Sequence, residues 1–345
     1  MNYKLIISSF LMWLMIVSCK EKLIGEWKLD SYSYHSNLPI EYLLIDEDEA
    51  IVIDDKAIKY YFTYQQKSRG LILENQSQEI TFSKRIVNVD SMKLDSLSFI
   101  PVENGEQDLI MGVDLLGIES NKVIKDEIKK RQYVISAMVD SENGLIIKLG
   151  GRISKLNEIP IFLSCGHCPS NKEAMLILDK EISYQNFKDI CYWLKLSEVW
   201  KIAIVTKSNS IGEYEGIYQK IGIWKEDMDK FRKLIKGPPP LPLFSRKDYL
   251  ASLENVLVLD IVEEKDPEKI LNFIDEGGRE ILINLDQVLS LEKYVKLSLN
   301  IINLLDGIKE EKALEEYQMG YQELTMEQKR VLSRKLPRIK FEMRI

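Results

Sequence analysis

Short apolar runs rich in β-branched and aromatic residues fill the first part of the chain and alternate with turn-forming residues. The runs are 51–53, 58–64, 71–73, 80–82 and 97–100. Turn formers such as Asp54-Asp55 and Asn104-Gly105 separate them at intervals of roughly 8–12 residues, which is typical of an antiparallel meander or barrel. The pattern therefore predicts a β-rich domain over residues 19–142.

Residues 143–236 show a different pattern, in which strands and helices alternate. Strands are predicted at 145–149, 160–163, 174–178 and 200–206. Between the last two, Tyr184–Leu196 carries apolar residues at helical spacing. A run of prolines at 238–242 then forbids a helix and favours an extended linker over 237–250. This block is thus predicted to be a small α/β domain.

The last block, residues 251–345, repeats the alternation. Strands are predicted at 256–259 and 281–286, with a helix over 267–274 between them and a long amphipathic helix after them. A charged helical stretch ends near Pro337, and 339–341 is predicted as an edge strand. The fold class expected is therefore α+β multidomain, an antiparallel β meander or barrel followed by two small two-layer α/β modules.

The first nineteen residues predict export. Lys4 precedes thirteen uncharged, mostly apolar residues, a run too short to span a bilayer, which needs about 20. It ends in Ile16-Val17-Ser18-Cys19, which resembles the lipobox of bacterial lipoproteins. The resemblance implies a signal peptide over residues 1–18 and a lipid anchor on Cys19. In enteric bacteria an aspartate after the cysteine marks inner-membrane retention. Lys20 stands there, so the outer membrane is favoured.

The composition of the chain argues against several classes of function. The chain has 345 residues, and 47 Lys and Arg stand against 54 Asp and Glu, a net charge of −7. An acidic chain without a basic cluster is a poor nucleic-acid binder. Its two histidines argue against a histidine-rich metal site, and it lacks a phosphate-binding loop and a nucleophile elbow. We therefore expect no catalysis, cofactor or metal. Tyr60-Tyr61-Phe62 and Tyr64 are candidates for a sugar-binding face or for packing within the strands.

Gly25-Glu26-Trp27 opens the β-rich block and resembles the Gly-x-Trp start of lipocalin-like domains. The resemblance implies a small barrel with the tryptophan closing one end. The alternative is a generic β-domain in which Trp27 is a core residue. A barrel of this kind either holds a small apolar ligand or is filled by its own side chains. A small-ligand carrier is therefore one alternative function.

The segments 176–187 and 202–207 resemble the periplasmic domain of ExbD/TolR biopolymer-transport proteins, with a strand that ends in Asp179-Lys180 and a helix that opens at Tyr184. Leu285-Asp286 and the helix after it resemble the same layout. The resemblance implies α/β units that pair or bind envelope partners. The leader lacks the acid of the family's membrane helix, so proton flow is not implied. From the residues alone, Asp179 and Asp286 are expected to cap the helices that follow.

Cys165-Gly166-His167-Cys168 is the candidate for chemistry. Its Gly-His pair is the same as in protein disulfide isomerases. Three interpretations stay open: a structural disulfide, a redox-active dithiol, and inert or metal-bound thiols. Pro169 argues against the long helix that a thioredoxin-like site places after its first cysteine. Cys191 lies on the core face of a predicted helix and is expected to be buried.

These features together predict a lipid-anchored envelope protein that binds rather than catalyses. Its expected role is a scaffold that presents the two α/β modules to envelope proteins or peptidoglycan beside a TonB/ExbD-type system, and a homodimer is one expected form. The rival functions are a thiol–disulfide oxidoreductase that uses Cys165 and Cys168, and a ligand carrier.

Overall fold

The structure is a computed structural model whose described residues fall into two compact units. These residues are 24–30, 40–67, 70–83, 85–87, 91–102, 111–120, 123–124, 132–140, 144–150, 152–164, 173–197, 199, 201–221, 256–260, 267–278, 280–285, 290–336 and 338–343. The first unit spans 1–155, 172–180 and 202–219, and the second spans 156–171, 181–201 and 220–345. Helices and strands both occur, so the α+β class is confirmed.

A nine-stranded antiparallel sheet opens the first unit. Its strands are β1 Gly25–Leu29, β2 Ile40–Ile45, β3 Glu49–Asp54, β4 Lys59–Gln66, β5 Leu71–Glu74, β6 Glu79–Phe82, β7 Arg85–Val87, β8 Met92–Leu94 and β9 Leu97–Pro101. The strand order is β6-β5-β4-β3-β2-β1-β9-β8-β7. Ser83, just after β6, donates its hydroxyl to the Asp95 carboxylate between β8 and β9 at 2.8 Å. The sheet is therefore barrel-like and nearly closed, as the meander predicted.

A seven-stranded mixed sheet completes the first unit. Its strands are β10 Val123–Ile124, β11 Gln132–Asp140, β12 Gly144–Leu149, β13 Arg152–Ser154, β14 Glu173–Leu178, β15 Lys201–Ser210 and β16 Glu213–Lys220. The order is β10-β16-β15-β14-β11-β12-β13, with β11 and β14 parallel. One hydrophobic core is shared by both sheets, since Phe62 and Phe99 of the first belong to the same buried cluster as Met175 and Val205 of the second.

The second unit contains the described helices and a three-stranded parallel sheet. The helices are α1 Ile159–Ser164, α2 Tyr184–Leu196, α3 Pro267–Asp275, α4 Leu291–Tyr317 and α5 Met326–Lys335. The strands are β17 Val256–Asp260, β18 Glu280–Leu285 and β19 Arg338–Met343, in the order β17-β18-β19. Within the described residues, no helix has the length and apolar character needed to cross a membrane.

The predicted strand at 160–163 is wrong, because these residues form helix α1. A short apolar run of this kind has no periodicity that separates a strand from one turn of buried helix. Pro160 is the second residue of the helix, where its fixed φ suits the first turn and the missing N–H leaves no intrahelical bond unmade. The helix predicted at Tyr184–Leu196 is confirmed with the same bounds.

Helices α2 and α4 begin with the same sequence pattern and meet at their starts. Residues 178–187 read LDKEISYQNF and residues 285–294 read LDQVLSLEKY, so a serine and then an aromatic residue recur at equal spacing. Each serine caps its helix, Ser183 accepting from the Asn186 N–H at 3.1 Å and Ser290 from the Lys293 N–H at 3.2 Å.

The two capping serines also pair with each other. Ser183 and Ser290 form an isolated antiparallel bridge, and the Leu291 N–H donates to the Ile182 carbonyl at 3.4 Å. Beside the bridge the Tyr184 and Tyr294 rings lie 4.8 Å apart between centroids. Equivalent positions of the two segments therefore contact each other, Ser183 with Ser290 across the bridge and Phe187 with Tyr294, whose ring centroids lie 5.3 Å apart.

This contact predicts a specific cross-link. With Cys19, Cys165, Cys168 and Cys191 changed to serine, the pair Ser183→Cys and Ser290→Cys should oxidise to a disulfide within one chain. Directly opposed residues of an antiparallel pair have Cα atoms about 4.5–5.5 Å apart, within the range of about 4.4–6.8 Å that a disulfide joins. Non-reducing gels and peptide mapping would detect it. The matched control pairs Ser183→Cys with Glu315→Cys, near the far end of α4, and should not cross-link. A disulfide formed only between two chains would contradict the arrangement.

Candidate functional site

Strand β4 separates two clusters of polar side chains, because successive residues of a strand point to opposite faces. Tyr60 is buried at 4% exposure, whereas Tyr61 is 49% exposed. The inner cluster contains Asp54 and Tyr60. The outer one surrounds Tyr61.

The inner cluster is built on the Asp54 carboxylate, which is fully buried. Its Oδ1 accepts from the backbone N–H groups of Lys56 and Ile58 at 3.0 and 2.8 Å, which closes the turn between β3 and β4. Its Oδ2 accepts from the Tyr60 hydroxyl at 3.3 Å and from the Tyr214 hydroxyl at 3.5 Å. Since Tyr214 lies on β16, Asp54 connects the two sheets of the first unit.

Burial determines how Asp54 titrates. Loss of solvation raises its pKa from the ordinary value of 3.8 to about 7, and the backbone hydrogen bond from Ile58 offsets part of that rise. Burial, followed by the nearby Asp54 charge, also raises the pKa of Tyr60. The Tyr60 hydroxyl lies 3.0 Å from Ser208 Oγ, which donates to a backbone carbonyl of its own sheet. These groups satisfy one another, so the inner cluster is a structural connection between the sheets.

A shallow groove of about 560 Å³ lies on the outer face of β3, β4 and β5. Seven residues line it: Glu49, Tyr61, Phe62, Thr63, Glu74, Asn75 and Gln76. Register places Glu49 opposite Thr63 and Thr63 opposite Glu74, so the three form one row across the strands. Tyr61 is two residues from Thr63 on the same face and lies beside that row.

The Tyr61 ring is held in place from outside the sheet. Its hydroxyl donates to Asp114 Oδ1 at 2.6 Å, and Asp114 Oδ2 lies 3.4 Å from the Lys59 ammonium. Backbone hydrogen bonds put Asp114 there, because the Val113 N–H donates to the Ala57 carbonyl at 2.7 Å and the Val113 carbonyl accepts from Lys59. Burial raises the pKa of Tyr61, and so do the hydrogen bond and charge of Asp114. The hydroxyl therefore stays protonated and anchored.

Asp179 supports this anchor and does not cap a helix, so the capping prediction is wrong. Its Oδ2 accepts from the Asp114 N–H at 2.9 Å, and the Lys180 N–H donates to the Asp114 carbonyl at 2.8 Å. The cap of α2 is Ser183, four residues later. Asp179 lies five residues before the first residue of α2, whereas Ser183 lies directly before it and its side chain accepts from a first-turn N–H. Asp286, the second predicted cap, lies outside the described residues, and Ser290 caps α4.

Several polar groups of the groove have no hydrogen-bond partner in the part of the chain that the structure describes. Thr63 donates its hydroxyl to the Glu74 carbonyl at 3.1 Å, and Asn75 Oδ1 accepts from the N–H groups of Ser77 and Gln78, both at 2.9 Å. Among the described residues, the carboxylates of Glu49 and Glu74 and the amide of Gln76 have no hydrogen-bond partner. The groove thus offers two acceptor groups, two amide groups that donate, and one aromatic face.

The predicted site residues lie elsewhere in the chain. Cys19, Cys165 and Cys168 are outside the described residues. Cys191 is a free, partly exposed residue on α2, and burial of its sulfur raises the pKa of the thiol. The described residues contain no group of three or more His, Cys, Asp or Glu that could hold a metal ion. Of the aromatic candidates, the structure exposes the Tyr61 side chain at the groove and buries the side chains of Tyr60 and Phe62, although Phe62 also lines the groove.

Comparison with known proteins gives no relatives. No family model matches the chain, and neither a curated protein nor a solved structure matches it. The groove is therefore interpreted from its own chemistry.

The buried carboxyl of Asp54 predicts how stability depends on pH. Folding raises the pKa of Asp54 to about 7, so its contribution to the free energy of unfolding is fully present below about pH 4. This contribution, a few kcal/mol in all, is lost as the pH rises through 7. Urea unfolding across this range should show that Asp54→Asn removes this loss. The exposed neighbour supplies the control, Asp55→Asn, which should keep the wild-type dependence. Parallel curves for wild type and Asp54→Asn would contradict the assignment.

Proposed function

We propose that this chain is a lipid-anchored, non-catalytic binding protein of the bacterial cell envelope, with the outer membrane favoured, and that it binds its ligand at the Tyr61 groove. The observation that carries the binding site is the fixed, half-exposed Tyr61 ring among unpaired polar groups on the outer face of a rigid sheet. The lipobox-like sequence that ends at Cys19 supports the anchor.

The packing of the first unit favours a site on the outer face over a ligand carried inside the sheet. The inward-pointing side chains of Leu43, Phe62 and Phe99 are at most 2% exposed. Interiors packed in this way leave little space for a ligand. The carrier alternative would need an opening among these side chains, whereas the Tyr61 groove needs none.

Envelope proteins and peptidoglycan are the proposed partners of the modules that resemble ExbD/TolR domains. The resemblance of residues 176–187 and 285–294 to ExbD/TolR periplasmic domains motivates a role beside a TonB/ExbD-type system. The strand–helix alternation of β17, α3, β18 and α4, and the matched starts of α2 and α4, support such paired modules. In this proposal the modules pair within one chain, so a homodimer is not required.

The oxidoreductase alternative rests on Cys165 and Cys168. Only four residues separate Cys168 from Glu173, the first residue of β14. A thioredoxin-like site continues into a long helix after its first cysteine. The four residues between Cys168 and β14 are too few for a helix of that length. The non-catalytic proposal is favoured for that reason.

Lipid attachment is tested first, by metabolic labelling with palmitate in a Gram-negative host. The wild-type chain should carry label and sediment with membranes, because acyl chains contribute about 0.8 kcal/mol per buried methylene. Cys19→Ala should carry no label, since no other residue is proposed to accept the lipid. Cys191→Ala, which removes a different cysteine, should be labelled like wild type. Label retained by Cys19→Ala would reject the anchor.

Redox activity is tested separately with the purified chain. We expect no reduction of insulin above the rate of the Cys165→Ser, Cys168→Ser double variant. We also expect Cys168→Ser to trap no mixed disulfide with exported proteins, as a reactive Cys165 thiolate would. Turnover that disappears in the double variant would replace the binding proposal with the oxidoreductase.

A further inference from the structure

The ligand class follows from the groove, on the premise of the proposed function that the groove is the binding site. We propose that it binds a neutral, hydroxyl-rich saccharide, with one sugar ring stacked on Tyr61 and its hydroxyls bonded by Glu49, Glu74 and the amide groups of Asn75 and Gln76. Three features of the groove favour this ligand: the aromatic platform, the spacing of the carboxylates, and the mixture of donors and acceptors.

The platform is preorganised. Tyr61 is half exposed, and the 2.6 Å hydrogen bond to Asp114 fixes its hydroxyl, while Asp114 is itself held by Asp179. A ring already fixed in its bound orientation loses little conformational entropy on binding. The face of an aromatic ring is electronegative, so it attracts the weakly positive C–H groups that line one face of a pyranose.

The carboxylates are spaced for a single ring. Glu49 and Glu74 lie on strands β3 and β5, with β4 between them, and both are opposite Thr63. Neighbouring strands lie about 4.8 Å apart, so the two backbones are about 10 Å apart. Between their carboxylates there is room for one sugar ring with a hydroxyl directed to each side. Carboxylates are strong acceptors for such hydroxyls.

The amide groups favour a saccharide over a cation as the ligand. A cation would use the two carboxylates but would have no use for N–H donors. Asn75 Oδ1 is already occupied by the Ser77 and Gln78 N–H groups, which leaves its amide NH₂ to donate, and Gln76 is exposed beside it. Sugar hydroxyls both donate and accept, and they therefore match the whole set. The described residues also lack a three-ligand metal cluster.

The charge of the groove selects among saccharides. Glu49 and Glu74 have no cationic partner among the described residues, and Asp46 to Asp48 continue the acidic run before Glu49. An anionic sugar would be repelled at this surface. A neutral chitin-type oligomer of N-acetylglucosamine should therefore bind better than a peptidoglycan fragment whose muramic acid carries a free carboxylate.

The experiment is a binding titration of the full chain in detergent, by isothermal calorimetry and saturation-transfer NMR. The probes are N-acetylglucosamine tetramer, maltotetraose, and a muramic-acid-containing disaccharide. We expect a neutral oligomer to bind, Tyr61→Ala to weaken it at least tenfold, and Glu49→Gln with Glu74→Gln to weaken it similarly. Tyr61→Phe keeps the platform, so it should lose only a few-fold. Tyr218→Ala, an exposed tyrosine on β16, is the matched control and should bind like wild type.

Three results would overturn the proposal: no binding of any probe by the wild-type chain, binding unchanged in Tyr61→Ala, or tighter binding of the acidic disaccharide that depends on Tyr61. Thermal unfolding of each variant checks that it is folded. If Tyr61→Ala does not fold, the affinity of Tyr61→Phe still tests the role of the ring. Failure here with palmitate label intact rejects the ligand class and leaves the envelope anchor. Loss of the palmitate label with saccharide binding intact rejects the envelope anchor and leaves the ligand class.

Discussion

The burial of two sheets against each other is the constraint on which the first unit depends. A nine-stranded antiparallel sheet cannot hide its inner face alone unless it closes fully, and in the described residues its end strands β6 and β7 are not paired with each other. Side chains of the seven-stranded sheet share its core instead. Asp54 adds direction to this otherwise non-directional contact, because its carboxyl group bonds Tyr60 on one sheet and Tyr214 on the other. Lys148 on β12 and Glu41 on β2 form a second polar contact of this kind.

That constraint also produces the groove. Once Tyr60 must point inward to reach Asp54, the alternation of β4 forces Tyr61 outward. The same turn that Asp54 closes brings Ala57 beside Val113, and the chain after Val113 delivers Asp114 to the Tyr61 hydroxyl. A one-residue shift in the register of β4 would exchange the two tyrosines and remove both clusters. The core connection and the surface site are therefore two consequences of one register.

Local pattern explains which parts of this fold could be predicted. The strands from β3 to β6 and the helix at 184–196 are visible in the sequence because each has its own periodicity and flanking turn residues or cap. Helix α1 was predicted as a strand because the four apolar residues 160–163 are too few to show a period. The role of Asp179 was not predictable for a different reason. Its partner, the Asp114 N–H, is 65 residues away, and only the packed sheet brings them together.

The groove, too, could be predicted from the sequence only in part. The cluster Tyr60-Tyr61-Phe62 marked the position, but the sequence did not distinguish a sugar-binding face from core packing. Successive residues of a strand point to opposite faces, and the sequence alone does not say which face is buried. Burial separates the alternatives, with Tyr60 and Phe62 inside and Tyr61 outside. Glu74 and Gln76 join the site only through the pairing of β4 with β5. Their contribution is therefore a property of register rather than of any local motif.

A shallow site of this kind is compatible with the proposed anchor. An open groove buries little of its ligand, so its affinity for a single saccharide is low. A protein confined to the membrane next to a polymer of repeating sugars does not need a high affinity, because tethering raises the effective concentration of each partner and neighbouring ligand units offer rebinding. Open geometry also suits a continuous chain, whose ends must leave the site on both sides. The proposed anchor and the proposed site are thus mutually consistent: in this proposal the lipid provides proximity, and the outer face of the sheet provides selectivity.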